Sequence, residues 1–152
     1  MPTFHVHVDA IVRRDDEILI MKRAMGLMSG AWYLPGGQLE FGEAPEEGAR
    51  REIREETQLE VQDMRLFRAW HYRPVEGEHA VGITYTCSVP AGTEPEINEE
   101  HIAARWVTPA YYRERFFNDG ALAALAGNAP VLELVTAVRD LIDAYIAERT
   151  PG

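Results

Sequence analysis

Hydrophobic and polar residues alternate along the first part of the chain in the pattern of β-strands. The segment TFHVHVDAIV (residues 3–12) has a period of two, and EILIMKRA (residues 17–24) is a second compact apolar run. Between them lies the charged sequence RRDDE, which is typical of a turn. We therefore expect the two segments to pair as a hairpin.

Further along the chain, a charged helix precedes more strand-like segments. The helix is expected from about Pro45 to Thr57, because proline suits a first helical turn and Glu46 and Glu47 favour the positive N-terminal end. The strand-like segments that follow are MRLFRAWHYR, AVGITYTCSV and AARWV. The pattern predicts five or six strands in total.

The C-terminal segment, from Val131 onward, has an apolar stripe at helical spacing. The stripe comprises Leu134, Val135, Val138, Leu141, Ile142, Tyr145 and Ile146. It must be buried, and we expect it to pack on the sheet of the same domain in preference to a partner. With 152 residues, 46% of them hydrophobic, and no repeat or linker, residues 1–152 are expected to form a single mixed α+β domain.

Composition and charge narrow the class of function. The formal net charge of -10 disfavours binding to long nucleic acids or anionic membranes, which reward basic residues. The sequence has no secretory signal pattern and no run near the roughly 18 apolar residues that span a bilayer, so we expect a cytoplasmic protein. The single cysteine, Cys87, lies in a strand-like segment and is expected to be a buried apolar residue.

Three glutamates of the predicted helix are candidate metal ligands. Glu52, Glu55 and Glu56 fall within an arc of about 100° on a helix, and Gly48, one turn earlier, is expected to leave open space beside them. Arg51 lies one turn before Glu55 and offsets part of their repulsion. A solvated charged face is the alternative, but clustered oxygen ligands suit Mg²⁺ or Mn²⁺, which also bridge to phosphates.

The segment around these glutamates resembles a known sequence signature. Gly37, Glu43 and REIREETQL at residues 51–59 have the spacing of the Nudix box of Nudix hydrolases, and the flanking segments extend the likeness over residues 4–107. One position departs, since the family expects glycine where this chain has Gln58. A non-glycine residue in the left-handed conformation expected there costs roughly 1 kcal/mol.

The resemblance implies a Nudix fold, a mixed β-sheet sandwiched between helices, which binds a divalent metal and a diphosphate. Its metal ligands would be the Gly37 carbonyl and the carboxylates of Glu52, Glu55 and Glu56. Arg51 would orient the glutamates, and Glu43 would support the loop. Water activated by the metal or by a carboxylate would attack one phosphorus in line, and a small nucleotide would be the partner.

Other residues extend this predicted site. Glu100 is expected to be an additional metal ligand or the general base, with a helix glutamate such as Glu52 as the alternative base and an exposed acidic turn as the alternative for Glu100. The resemblance favours Arg23 over its neighbour Lys22 as the phosphate-binding cation, because the family often places an arginine against the phosphates there. Adjacent strand residues point to opposite faces, so only one of the two can reach the site.

Two further features bear on the substrate. His5, His7 and Asp9 share one strand face, and we favour a substrate-facing polar surface over a second metal site. Asn118 lies where MutT-type members carry an asparagine that binds a purine edge, whereas Pro74 resembles the proline of ADP-ribose-hydrolysing members.

Three functions compete on these grounds. The first is a MutT-like pyrophosphohydrolase that converts a nucleoside (deoxy)triphosphate to monophosphate and pyrophosphate. The second is a pyrophosphatase of ADP-ribose or another nucleoside-diphosphate sugar. The third is a non-catalytic Nudix-fold binding or regulatory domain, which the complete set of glutamates disfavours. We favour the first, and both a monomer and a homodimer remain open.

Overall fold

The computed structural model describes residues 1–24 and 30–149. The elements, in chain order, are β1 (Thr3–Arg14), β2 (Glu17–Arg23), β3 (Trp32–Tyr33), β4 (Gly36–Gln38), α1 (Pro45–Thr57), β5 (Gln62–Tyr72), β6 (Glu78–Ser88), β7 (His101–Val107), α2 (Pro109–Phe116), α3 (Asp119–Ala123) and α4 (Ala129–Arg149).

One mixed sheet joins all strands of the described chain. Its main path is β3-β2-β1-β6-β5, with β4 paired to β1 and β7 paired to β2. The expected hairpin is confirmed, since β1 and β2 pair antiparallel through Arg13 and Ile18. The pairing of β1 with β6 is parallel, and the other pairings are antiparallel.

Alternate residues of the central strands enter different cores on the two faces of the sheet. Ile11 and Ile20 pack with α4 on one face, where Leu134, Val135, Val138, Leu141, Ile142 and Tyr145 are buried. Val8 and Leu19 pack on the other face with the Ala49 and Ile53 side chains of α1. Helices therefore cover both faces, and the expectation that the C-terminal stripe packs on the chain's own sheet is confirmed.

The structure also departs from the predicted elements. The described part of the chain has seven strands, more than the five or six predicted. The strands β3 and β4 have only two and three residues, which is too few to show a periodic pattern in the sequence. Helices α2 and α3 were not predicted, and α4 begins at Ala129, two residues before the predicted start at Val131. In the described ranges, no helix is both long and apolar enough to cross a membrane.

Candidate active site

Helix α1 places its glutamates at different depths beside the sheet. Ala49 and Ile53 are 1% and 0% exposed and anchor the helix, as expected from their apolar stripe. Across the expected arc, the exposed fraction of the side chain is 2% for Glu56, 13% for Glu52 and 56% for Glu55. The three carboxylates thus run from the protein interior to solvent.

The short strand β4 lies directly against two of these carboxylates. The Gly36 N–H donates to Oε1 of Glu56 at 2.8 Å. A Cβ atom built on Gly37 would lie 2.5 Å from the carboxyl carbon of Glu52, so only glycine allows this close approach. The structure therefore brings together the predicted ligands Gly37, Glu52 and Glu56.

Arg51 links the carboxylates at the solvent side of the site. Its guanidinium donates to Glu43 at 2.6 and 3.0 Å, to Glu52 at 2.9 Å and to Glu55 at 3.2 Å. It also donates to the Gln38 carbonyl at 3.1 Å, which ties β4 to the helix. These hydrogen bonds lower the pKa of Glu43 and raise the pKa of Arg51. The orienting position expected of Arg51 and the loop-supporting position of Glu43 match this network.

Glu56 has a buried partner that the sequence did not reveal. Its Oε2 lies 3.1 Å from Nε2 of His101, and the two side chains are 2% and 3% exposed. On the other side of the imidazole, Nδ1 lies 3.1 Å from Oδ1 of Asn98, an oxygen that also accepts from the Glu100 N–H. Since that oxygen can only accept, Nδ1 of His101 carries a proton.

This hydrogen-bond pattern explains the protonation state of Glu56. In a neutral His101 with its proton on Nδ1, Nε2 is an acceptor, so the proton of the 3.1 Å contact belongs to Glu56. Burial is the largest influence that raises the pKa of Glu56 to about 8, and burial lowers the pKa of His101. Both groups are therefore neutral near pH 7.

Glu100 lies close enough to act on the helix carboxylates. Beyond the effect of burial, its charge contributes to the raised pKa values of Glu52 and Glu56. Its carboxylate is on an exposed residue, while its backbone is fixed by Asn98 and by the Ala24 N–H, which donates to the Glu100 carbonyl at 2.8 Å. The structure therefore places the predicted base or ligand beside the site.

The oxygen donors of the site are of the type that a hard divalent cation prefers, although their side chains do not converge on one point. Within residues 1–24 and 30–149, no three His, Cys, Asp or Glu side chains converge as a metal site. The reason is that Arg51 holds Glu52 and Glu55, while His101 holds Glu56. All candidate ligands are oxygens. After burial, the charges of neighbouring carboxylates contribute to the raised pKa values of Glu52 and Glu56, and a cation would relieve this environment.

A pocket of about 340 Å³ opens on the other side of the Gly36–Gly37 backbone. Its lining comprises His7, Val8, Asp9, Arg23, Tyr33, Leu34, Gly36, Gly37, Gln38, Trp70, Tyr72, Leu134 and Val138. Arg23 lines the pocket and Lys22 does not, which agrees with the expectation that only one of these two neighbours reaches it. The polar face of β1 also reaches it through His7 and Asp9, whereas His5 lies 3.5 Å from Glu78.

Two substrate-binding expectations do not match the structure. The open space expected at Gly48 is absent, because a Cβ there would lie 2.7 Å from Leu39 and 2.8 Å from Glu43. Gly48 instead lets the loop before α1 pack on the helix. Asn118 is not part of the pocket lining, and its amide accepts from the Ala121 N–H at 2.9 Å and donates to the Glu114 carbonyl at 3.0 Å. Asn118 caps α3, so a role in binding a purine edge is not supported.

Sequence reasoning missed the residues that hold the site from other strands. His101 and Asn98 support Glu56, and the Thr84 hydroxyl contacts Asp9 below the pocket. The HIAARWV segment was assigned as a strand only from Ala103, which left His101 outside it. Cys87 is buried, and burial raises the pKa of its thiol to about 12, as expected for an apolar role.

Residues 3–125 match the NUDIX domain. A MutT-like protein of Streptomyces ambofaciens is 35% identical over 123 residues, which cover 79% of this chain and 75% of the relative. An ADP-ribose pyrophosphatase of Methanocaldococcus jannaschii is 48% identical over 54 residues, 36% of this chain and 32% of the relative.

Two further comparisons cover more of the relative's length. The nucleoside triphosphatase NudI of Escherichia coli is 33% identical over 111 residues, which cover 65% of this chain and 78% of the relative. The crystal structure of a MutT NUDIX hydrolase from Burkholderia pseudomallei superposes with a TM-score of 0.64 at 30% identity, over 71% of this chain and 85% of that one.

Proposed function

This chain belongs to the Nudix hydrolase family, and we propose that it hydrolyses a nucleoside (deoxy)triphosphate to the monophosphate and pyrophosphate with the help of Mg²⁺ or Mn²⁺. One observation carries the proposal. The Gly36–Gly37 backbone separates a cluster of carboxylates, Glu52 and Glu56, from an aromatic pocket that also contains Arg23. Such an arrangement suits a diphosphate bound at the glycines with its nucleoside in the pocket.

The predicted oxygen donors are the residues proposed to hold the divalent ion. They are the Gly37 carbonyl and the carboxylates of Glu52, Glu55, Glu56 and Glu100. When bound, such an ion neutralises phosphate charge and makes a water molecule more acidic. Because Glu56 is protonated near pH 7 in the absence of metal, binding releases its proton.

The chain's own residues carry the rest of the reaction. Arg23, whose charge acts on both Glu56 and His101, is proposed to bind a phosphate oxygen. Arg51 keeps Glu52 and Glu55 oriented through its hydrogen bonds. We assign Glu100 to accept the proton of the attacking water, since its carboxylate is exposed and lies within electrostatic reach of Glu52.

The pocket supports a nucleoside as the group attached to the phosphates. Its volume of about 340 Å³ lies within the range of small-molecule sites. Trp70 and Tyr72 stack with ring centroids 6.0 Å apart, and Leu134 and Val138 of α4 form an apolar wall. Aromatic and aliphatic surfaces of this kind bind the faces of a planar base.

Hydrolysis of ADP-ribose or another nucleoside-diphosphate sugar is the second candidate. The 48% identity to an ADP-ribose pyrophosphatase over 54 residues favours it. Both candidates use the same diphosphate site, so they differ only in the group beyond the second phosphate.

A nucleotide panel tests the proposal. Purified protein is incubated with nucleoside and deoxynucleoside triphosphates, ADP-ribose and nucleotide sugars, with Mg²⁺ or with EDTA, and the products are separated by chromatography. We expect Mg²⁺-dependent release of a monophosphate and pyrophosphate from at least one triphosphate. The highest kcat/KM for ADP-ribose would favour the second candidate. Failure to turn over any nucleotide at neutral and alkaline pH would instead favour a non-catalytic binding domain.

A further inference from the structure

Three side chains from adjacent strands form a hydrogen-bonded chain beneath the pocket. Asp9 of β1 pairs in register with Thr84 of β6, and the Thr84 hydroxyl contacts Oδ1 of Asp9 by a short hydrogen bond. The indole Nε1 of Trp70, on β5, lies 2.9 Å from the same hydroxyl. Thr84 is fully buried, whereas Asp9 and Trp70 line the pocket.

The chemistry of these groups fixes the direction of the hydrogen bonds. An indole N–H can only donate, so the Thr84 oxygen accepts from Trp70. The single proton of Thr84 is then directed to Asp9, whose Oδ1 is an acceptor. Asp9 is thereby oriented by a donor behind it, and it presents its carboxyl group to the pocket.

Close backbone contacts hold this arrangement in place. A Cβ on Gly82 would lie 2.0 Å from the Trp70 ring, so the indole lies directly over that glycine. A Cβ on Gly36 would lie 2.5 Å from Cβ of Asp9, so β4 closes over the side chain of Asp9. The acceptor therefore has little freedom to turn away from the pocket.

We propose that Asp9 determines base specificity by accepting a hydrogen bond from an amino group of the nucleobase. The proposal rests on the proposed function, in which the nucleoside occupies this pocket. The carboxylate of Asp9 would repel phosphates, for which Arg23 is available. As a desolvated acceptor, it is instead stabilised by a hydrogen bond from an N–H donor. Trp70 and Tyr72 offer stacking surfaces beside Asp9, so a planar base that stacks on them would direct its edge toward the Asp9 carboxylate.

Substrate pairs that differ in one amino group test the proposal. The pairs are GTP with ITP, and ATP with purine riboside triphosphate. In at least one pair we expect the amino-bearing member to have a kcat/KM higher by about 10-fold or more, mainly through KM, because its absence leaves a buried acceptor unpaired. Dissociation constants of the corresponding monophosphates are measured in parallel.

The variant Asp9→Asn reverses the group that faces the base. The Thr84 proton still requires an acceptor, so the amide oxygen binds Thr84 and the NH₂ group faces the pocket. We expect the preference for the amino-bearing member to fall to about twofold or to invert. Thr84→Val removes the orienting donor and should weaken the preference, while Thr84→Ser keeps the hydroxyl and should retain it.

Each outcome decides between defined alternatives. A parent protein that hydrolyses no nucleotide refutes the proposed function, while the monophosphate affinities still test Asp9. Equal affinities and rates within every pair, or ratios unchanged in Asp9→Asn and in Thr84→Val, overturn the proposal. It is also overturned if Asp9→Asn changes only the ratio between ribose and deoxyribose substrates, because the carboxyl group would then bind the sugar.

Discussion

At the scale of single residues, depth separates the roles of the three helix glutamates. Glu55 is exposed and bound by Arg51, whereas Glu56 is buried, protonated near pH 7 and held by His101 and Gly36. A cation that recruits both must release a proton from Glu56 and share Glu55 with Arg51. The metal-free site is thus held together by hydrogen bonds that the cation partly replaces.

Asp9 gives the protein a pH-dependent stability that a single substitution should remove. Burial raises the pKa of Asp9 to about 7, above its ordinary value of 3.8. The folded state therefore binds this proton more tightly than the unfolded state, and the resulting stability is lost as pH rises from about 4 through 7. Between pH 5 and pH 8, we expect the melting temperature of Asp9→Asn to fall by several degrees less than that of the parent.

Thermal melts of the metal-free parent and variant at the two pH values measure this difference. Asp63→Asn, an exposed aspartate, is the control and should follow the parent. Parallel pH profiles for the parent and Asp9→Asn would show that Asp9 ionises normally in the folded protein.

The residues predicted from the sequence are those whose roles follow from spacing along one element. Helical spacing placed the three glutamates together and paired Arg51 with Glu55, and strand alternation indicated that only one of Lys22 and Arg23 could reach the site. His101 and Thr84 could not be found in this way, because their contacts depend on how β7 and β6 align with other strands. The amide of Asn118 caps α3, and its role in base binding stays a prediction, since helix capping and base binding call for the same amide.

At the scale of elements, the end of α1 explains why the Nudix box tolerates Gln58. The residue adopts φ 58° and ψ 20°, in the left-handed region that glycine prefers, and its N–H bonds to the Arg54 carbonyl. The expected left-handed turn is therefore present, and the side chain of Gln58 is exposed. The helix ends as the box requires, at the cost of local backbone strain.

Replacing Gln58 with glycine should relieve this strain. We expect Gln58→Gly to raise stability by about 0.5–1 kcal/mol, with the greater flexibility of glycine in the unfolded chain offsetting part of the gain. Gln58→Ala keeps the strained conformation and should leave the melting temperature within about a degree of the parent. A lower stability of Gln58→Gly in urea unfolding would mean that the glutamine side chain stabilises the turn.

Arg51 should stabilise the loop and helix even without metal. Arg51→Gln leaves the carboxylates of Glu43 and Glu52, each 13% exposed, without their main donor. We expect its metal-free melting temperature to fall by several degrees, with Arg51→Lys between variant and parent because lysine keeps the charge but not the fork.

The matched control for this test is Arg54→Gln on the same helix. Arg54 pairs with Glu60, but these side chains are 57% and 74% exposed, so its loss should have little effect. Equal melting temperatures for Arg51→Gln and Arg54→Gln would mean that the Arg51 network contributes nothing to the metal-free fold.

Elements with strong periodicity were predicted well from the sequence. The hairpin, α1 and the apolar face of α4 follow from patterns that extend over many residues. The strands β3 and β4 have two and three residues and depend on pairing with β2 and β1. No local pattern could reveal β4, although it carries the backbone between the helix carboxylates and the pocket.

At the scale of the whole molecule, the pocket beside Gly36 and Gly37 extends beyond the part of the chain that matches the family. The NUDIX match covers residues 3–125, but Leu134 and Val138 of α4 line the pocket. The box glutamates can therefore be assigned from the sequence, while the pocket wall requires the packing of α4 on the sheet. This separation explains why the sequence could predict the family but not the lining of the pocket.

The carboxylates around Gly37 form a local negative site that a divalent cation would neutralise together with the phosphates. We propose that these carboxylates are held together for a cation and not for the fold. Glu56 tests it most directly, because glutamine can replace the protonated form of this buried residue.

The decisive measurement is the Mg²⁺-induced shift in melting temperature of the parent and of Glu56→Gln, with Glu46→Gln as an exposed control on the same helix. The amide of the Glu56→Gln variant can still accept from Gly36 and donate to His101, so we expect the metal-free variant to melt within a few degrees of the parent. Mg²⁺ should raise the melting temperature of the parent and the control but much less that of Glu56→Gln, whose hydrolysis of nucleotides should fall by orders of magnitude. If metal-free Glu56→Gln is unfolded and the parent shows no response to Mg²⁺, the carboxylates are structural and do not serve to bind a cation.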